Sequence, residues 1–191
     1  PIGSSFTLPS GASIIFSANG NFTFTLNGAY ESLATGETFD ERFTYTFSAP
    51  GGLTDDGPLL LRLSGSNAAP VITGDLAATV NEGGTIALTT ADIDGTDIDD
   101  DNGSLVFTVT TGPANGTILV NGTADTSFTV QQLRDGLVGY THDGLEVASD
   151  TIGLSLSDGS LTDTATLNIN VNGINDEPTA TGLNLSQIVN E

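Results

Sequence analysis

Residues 164 to 171, Thr-Ala-Thr-Leu-Asn-Ile-Asn-Val, place an apolar side chain at every second position. That period of two is the mark of a half-buried β-strand. Asn21-Phe-Thr-Phe-Thr-Leu26, Arg42-Phe-Thr-Tyr-Thr-Phe47, Val106-Phe-Thr-Val109 and Thr151-Ile-Gly-Leu-Ser-Leu156 read in a similar way, rich in β-branched and aromatic residues. Asn19-Gly20, Asn115-Gly116 and Asn121-Gly122 supply turns at short intervals, as antiparallel sandwiches require. Only Ala29 to Thr35 and Val130 to Gly136 read as helical turns, and each stands just before a strand as a connector. The expected fold is all-β, with tandem antiparallel sandwiches.

The chain carries 24 Asp and Glu against three Arg, with no Lys, Cys, Trp or Met, and a formal charge of -21. Nucleic acid and anionic membranes are excluded as expected partners, because both are polyanions that need basic patches. Without Cys there is no disulfide framework or thiol chemistry. No run approaches eighteen apolar residues, and the first residues read as the interior of something larger. Acidity can reflect adaptation to salt, which scatters carboxylates evenly. Here they concentrate in 92 to 101, in 37 to 41 and around 143 to 150, which favours sites.

The densest run, Asp92-Ile-Asp-Gly-Thr-Asp-Ile-Asp-Asp-Asp-Asn102, holds six carboxylates. Two carboxylates about 4 Å apart repel by roughly 4 kcal/mol at an effective dielectric near 20. Such a run is either splayed into water or wrapped around a cation. Asp97, Asp99 and Asp101 alternate, so on extended backbone their oxygens converge on one hard ion. Calcium, with six to eight oxygen ligands in flexible geometry, suits this better than magnesium.

An internal repeat divides the chain. Gly65-Ser-Asn-Ala-Ala-Pro70, then Val80-Asn-Glu82, recurs as Gly173-Ile-Asn-Asp-Glu-Pro178, then Val189-Asn-Glu191. The closing prolines mark the exit from one sheet and entry to the next. The expected organisation is a first, shortened domain over 1–70, a full domain over 71–176 and the opening of a third over 177–191. Within the units, Gly36 to Phe43 resembles Gly144 to Ile152, an acidic loop feeding the penultimate strand.

Val80-Asn-Glu-Gly, the Asp-x-Asp run, Pro113-Ala-Asn-Gly-Thr, Phe128-Thr, Tyr140-Thr-His-Asp-Gly, Asp150 and Ser157-Asp-Gly carry a resemblance across 80–176. This stretch resembles the cadherin-like repeat of chondroitin sulfate proteoglycans (CSPG repeat) and of large bacterial surface proteins. Leu8-Pro-Ser-Gly-Ala, Ala18-Asn-Gly-Asn-Phe-Thr-Phe, Tyr30-Glu-Ser-Leu-Ala-Thr-Gly-Glu-Thr and Phe43-Thr-Tyr-Thr-Phe make 1–70 similar to the tandem VCBS repeats of bacterial adhesins. The resemblance implies cadherin- or immunoglobulin-like sandwiches, joined by short Pro-containing linkers, in a secreted cell-adhesion protein of the RTX type. It implies an extracellular, monomeric array on the bacterial surface whose partners are its own neighbouring repeats, stiffened by interdomain calcium.

Carried onto this chain, the resemblance splits the acids between two junctions. The upper gathers Glu37, with Asp40 or Glu41, from the first domain, Asn67 from the linker, and Asp97, Asp99, Asn102 and Asp158 from the second. Asp101 belongs with it by alternation, and Asp92 or Asp94 can replace a member. The lower gathers Glu82, Asp143, Glu146, Asn175 and Asp176. Ala68 stands where the second linker has Asp176, so the upper junction is expected to be the weaker.

Other chemistries fit less well. Asp97-x-Asp-x-Asp begins like an EF-hand loop, but Asn102 and Thr108 occupy the positions that need Gly and a bidentate Glu. The Gly-Gly-x-Gly-x-Asp nonapeptides of RTX proteins are absent. His142 beside Asp143 lacks a Gly-x-Ser-x-Gly nucleophile, so a hydrogen-bonded strand-end histidine is the expected role, and no enzyme is expected. Paired carboxylates could serve glycoside hydrolysis, yet the chain has no Trp and three Tyr for a sugar platform. Two readings remain: a calcium-rigidified extender that holds adhesive modules away from the cell, or a module that itself binds a peptide, a glycan or another copy through a strand edge or end loops.

Overall fold

The computed structural model describes residues 3–177, so the expected opening of a following repeat over 177–191 lies, apart from Glu177, outside the described residues. In chain order the strands are β1 (Ser5–Thr7), β2 (Ser13–Phe16), β3 (Phe22–Thr25), β4 (Thr38–Ser48), β5 (Thr54–Ser64), β6 (Val71–Thr73), β7 (Ala77–Asn81), β8 (Thr85–Ala87) and β9 (Asp94–Thr96). Then come β10 (Val106–Thr111), β11 (Gly116–Val120), β12 (Thr123–Ala124), β13 (Ser127–Thr129), the short helix α1 (Val130–Arg134), β14 (Val138–His142), β15 (Ser149–Ser157) and β16 (Thr162–Asn172).

Residues 3–70 form an antiparallel sheet ordered β1-β2-β3 and the long hairpin β4-β5. Their apolar faces meet in a small cluster in which Leu8, Ala12 and Ile14 are buried and Phe16, Phe24, Tyr30, Phe43, Leu59 and Leu61 half-buried. A larger sandwich follows, with a five-stranded sheet β13-β10-β15-β16-β7 facing a four-stranded sheet β12-β11-β14-β8. The alternation read from the sequence selects its inner face: Ile152, Leu154 and Leu156 of β15 and Leu167, Ile169 and Val171 of β16 are buried, while Thr166, Asn168 and Asn170 face outward. Phe107 and Phe128 stack at 5.2 Å within this core.

One pairing sets the position of everything functional. β7 runs parallel to β16, with Val80 opposite Val171 and Asn81 opposite Asn172, whereas the other strand pairs among the described residues are antiparallel. Residues that leave β7 therefore emerge beside the linker that leaves β16. The opposite end of β16 lies at the Asp158 turn. At about 3.3 Å per residue, the 11 residues of β16 hold the two ends roughly 35 Å apart.

Local expectations divide. Val130–Arg134 is a helical turn, started by a capping box in which Thr129 and Gln132 satisfy each other's backbone N–H. Ala29 to Thr35 is a series of turns instead, because Tyr30 sits at φ +69, outside the helical region. Asn121-Gly122 makes the hairpin between β11 and β12 with both residues at positive φ. Asn115-Gly116 is not such a turn. Gly116 opens β11 under the Tyr140 ring, where any Cβ would overlap the phenol.

Candidate metal centres

The acids of the sandwich avoid the outer sheet faces. On its strands only Asp94, Asp150 and Asp163 occur, and all three are engaged by the protein itself: Asp94 by Arg134, Asp150 by backbone amides and Asp163 by the N–H of Ile72. The remaining carboxylates lie in end loops. Among the described residues two groups of carboxylates bring oxygens within 4.8 Å of one another: Asp97, Asp100 and Asp158 at one end, Glu82, Glu146 and Asp176 at the other.

At the first end the chain makes a tight Asx turn. Asp97 Oδ1 accepts the N–H groups of Asp99 (3.0 Å) and Asp100 (3.2 Å), and the Asp97 N–H donates to Asn102 Oδ1 at 2.5 Å. The turn folds the Asp100 carboxylate back beside Asp97, whose Oδ2 is buried without a partner among the described residues. Odd-numbered residues share a face only on extended backbone, and this backbone is bent. Asp101 therefore points elsewhere, capping a 3-10 turn over Asn102–Ser104 through the Gly103 N–H at 3.1 Å. Both oxygens of Asp99 accept the Ala68 N–H of the linker at 3.2 Å. Desolvation, together with Asp97 and Asp100 nearby, raises the Asp99 pKa even though the Ala68 N–H pulls it down.

Asp158 completes this end. Its Oδ2 accepts from Asn67 Nδ2 at 2.8 Å, and its Oδ1 accepts the N–H groups of Ser160 (2.6 Å) and Leu161 (2.7 Å). Desolvation pushes its pKa up, but these hydrogen bonds to the carboxylate outweigh it and hold the pKa below the usual range.

The expected contribution of the first domain is engaged elsewhere. Glu37 accepts the N–H of Ala34 at 3.2 Å. Asp40 is bound by Arg62 at 2.7 Å and by Arg42 at 3.5 Å, and the Arg62 hydrogen bond lowers its pKa. Glu41 is buried and accepts from the Tyr30 hydroxyl. Asp92 accepts from the N–H and hydroxyl of Thr89, both at 2.7 Å, and Asp94 pairs with Arg134 at 3.1 Å.

At the second end Glu82 follows β7 directly and is 8% exposed. Its Oε2 accepts the Ile174 N–H at 3.0 Å, gripping the linker that carries Asp176, while its Oε1 is buried with no partner among the described residues. A buried carboxylate oxygen left unpaired is expensive unless a cation completes it. Three carboxylates with no nitrogen or sulfur donor form a hard oxygen set that fits calcium. Asp143 accepts the Leu145 N–H at 3.0 Å, and Asn175 Nδ2 donates to the Asp176 carbonyl at 3.3 Å, so neither completes the trio here.

Sequence reasoning passed over Asp100, although the spacing Asp97-x-x-Asp100 is that of a turn. It also left His142 as a strand-end residue without seeing what it holds. His142 ends β14, is buried, and takes the N–H groups of Gly83 (3.2 Å) and Gly144 (3.1 Å) on Nδ1.

A family model described as cadherin-like matches residues 70–171, the span of the larger sandwich. The chain belongs to the cadherin-like family. This cadherin-like chain is 40% identical over 60 residues to human FRAS1-related extracellular matrix protein 2, which covers 31% of the chain and 2% of that protein. It is 34% identical over 96 residues to human FRAS1-related extracellular matrix protein 1, covering 47% of the chain and 4% of that protein. The chain thus spans only a few per cent of these relatives. A solved structure of Protocadherin Gamma B2 extracellular cadherin domains 1-5 superposes with a TM-score of 0.45 at 15% identity, covering 87% of this chain and 32% of that one.

Proposed function

We propose that this cadherin-like chain is a calcium-rigidified extender of a large extracellular adhesin. Its repeats span 1–70, 71–176 and onward from 177, and its work is reach and stiffness rather than catalysis. The observation that carries the reading is Glu82 Oε1, a buried carboxylate oxygen without a partner among the described residues, in a trio whose third member belongs to the linker. Asp97, Asp100 and Asp158 would hold calcium at the upper end, with Asn67 and Asp99 fastening the linker. Glu82, Glu146 and Asp176 would hold it at the lower end, where Asp143 and Asn175 stand close in sequence. Bound calcium supplies positive charge that cancels carboxylate repulsion at each joint. Without it the loops spread and the linkers swing.

The matrix-protein relatives support an extracellular setting. The bacterial RTX, CSPG and VCBS setting rests on the sequence resemblance of residues 1–70 and 80–176. The partners are neighbouring repeats of the same chain, with the fragment itself a monomer.

Calorimetric titration with calcium chloride tests the reading. The wild type binds at both ends, Glu82→Gln removes the lower site, and Asp97→Asn weakens the upper. A chelator widens the solution-scattering envelope. A scattering profile that a chelator leaves unchanged refutes the extender role.

A further inference from the structure

We infer that His142 is the positioning residue of the Glu82, Glu146 and Asp176 site, clamping through Nδ1 the two loops that carry its first two carboxylates. The inference rests on the calcium reading of that site. Gly83 follows Glu82 immediately, and Gly144 lies two residues before Glu146. The N–H groups of both glycines converge on the one imidazole nitrogen, at 3.2 and 3.1 Å. The loops touch at this point: a Cβ on either glycine would lie 3.8 Å from the Cα of the other, and the two glycines have φ of +64 and +85. Two backbone amides far apart in sequence are thus fastened to one side chain beside the carboxylates.

The opposite nitrogen shows what the imidazole is kept for. Two donors on Nδ1 leave the proton on Nε2. That N–H is buried with no hydrogen-bond partner among the described residues, and Asp143 Oδ1 stands 4.0 Å away. A buried unpaired N–H is unfavourable. A phenylalanine would fill the space without that penalty, so the value of the imidazole lies in Nδ1.

The clamp opposes a definite force. Three carboxylates with oxygens within 4.8 Å of one another repel in the metal-free protein and drive their loops apart. A site that spreads must be reassembled at each binding event, which weakens affinity; a site held in place avoids that cost. Supporting residues behind metal ligands typically change affinity by about 10- to 100-fold.

Calcium titration of the whole chain tests this with three variants. His142→Phe weakens calcium at the lower site by roughly 10- to 100-fold. His142→Asn, whose Oδ1 can take the place of Nδ1, stays close to wild type. Glu82→Gln abolishes the site. A histidine with a merely structural role would lower the melting temperature of His142→Phe and leave the calcium affinity of the folded protein unchanged. That result, or failure of His142→Asn to restore affinity, overturns the inference while the calcium reading stands. If Glu82→Gln leaves the wild-type stoichiometry unchanged, the calcium reading fails, and the inference with it. Should His142→Phe not fold, amide exchange on calcium-free wild type decides: slow exchange at Gly83 and Gly144 supports the clamp, and exchange at open-loop rates overturns it.

Discussion

Replacing Asp150 with Asn should destabilise the larger sandwich by about 2–4 kcal/mol. Asp150 is 5% exposed and serves four donors. Oδ1 accepts the N–H groups of Ala114 (2.9 Å) and Thr151 (2.8 Å), and Oδ2 accepts the Asn115 N–H and the Tyr140 hydroxyl, both at 2.9 Å. An asparagine must turn its NH2 toward one of these pairs. Toward Oδ1 it confronts two amides. Toward Oδ2 it confronts one amide and a hydroxyl, and the hydroxyl can turn to the Asn115 carbonyl, 3.2 Å away. The cheaper choice still strands one buried N–H, at about 1–3 kcal/mol, and removes the charge that strengthens the other bonds. For a domain of this size the loss corresponds to a fall in Tm of roughly 10–20 °C. Thermal and urea denaturation at neutral pH, with calcium held in constant excess, measure it.

The pH dependence has a fixed sign. Burial raises the Asp150 pKa, but the hydrogen bonds from Ala114, Asn115, Thr151 and Tyr140 outweigh it, and the net shift is downward from 3.8. The stabilisation is therefore present above that unfolded value and lost as pH falls through the folded one. The gap between wild type and Asp150→Asn should close in that window. A variant within about 0.5 kcal/mol of wild type at neutral pH would refute the claim that this carboxylate, which ties β15 to the 113–116 loop, is a structural anchor.

Other outcomes follow from the same geometry. Asp99→Asn should stabilise the calcium-free protein near neutral pH, because folding raises this pKa and so disfavours the carboxylate; the advantage should fade as pH falls through the raised value toward 3.8, as melting curves across pH will show. Gly116→Ala should cost about 3 kcal/mol or more, since the added methyl overlaps the Tyr140 ring and a strand backbone cannot easily retreat; the urea midpoint reads this. Thr129→Ala should cost about 1 kcal/mol by removing the cap from α1, again read by urea denaturation.

Much of the architecture was legible in the chain. The alternation in 151–156 and 164–171 indicated which side chains enter the core, because a pleated strand has only two faces. The corresponding argument for Asp97, Asp99 and Asp101 failed for the same reason: it presumed a strand where Asx hydrogen bonds bend the backbone. Glu37, Asp40 and Glu41 looked available for a junction, yet Ala34, Arg62 and Tyr30 engage them within their own unit. Nothing in a run of acids announces which of them already has a partner.

The sequence by itself determined a β-rich chain whose acids gather into a few short runs, since side-chain periodicity and composition are local properties. Only the tertiary structure decided which acids meet. Glu82 and Asp176 become neighbours because β7 pairs parallel with β16, and Glu146 joins them because β14 pairs with β8, which sets the loop after His142 against the loop after Glu82. Register between distant strands, and the burial that leaves Glu82 Oε1 without a partner among the described residues, arise only when the whole sandwich closes.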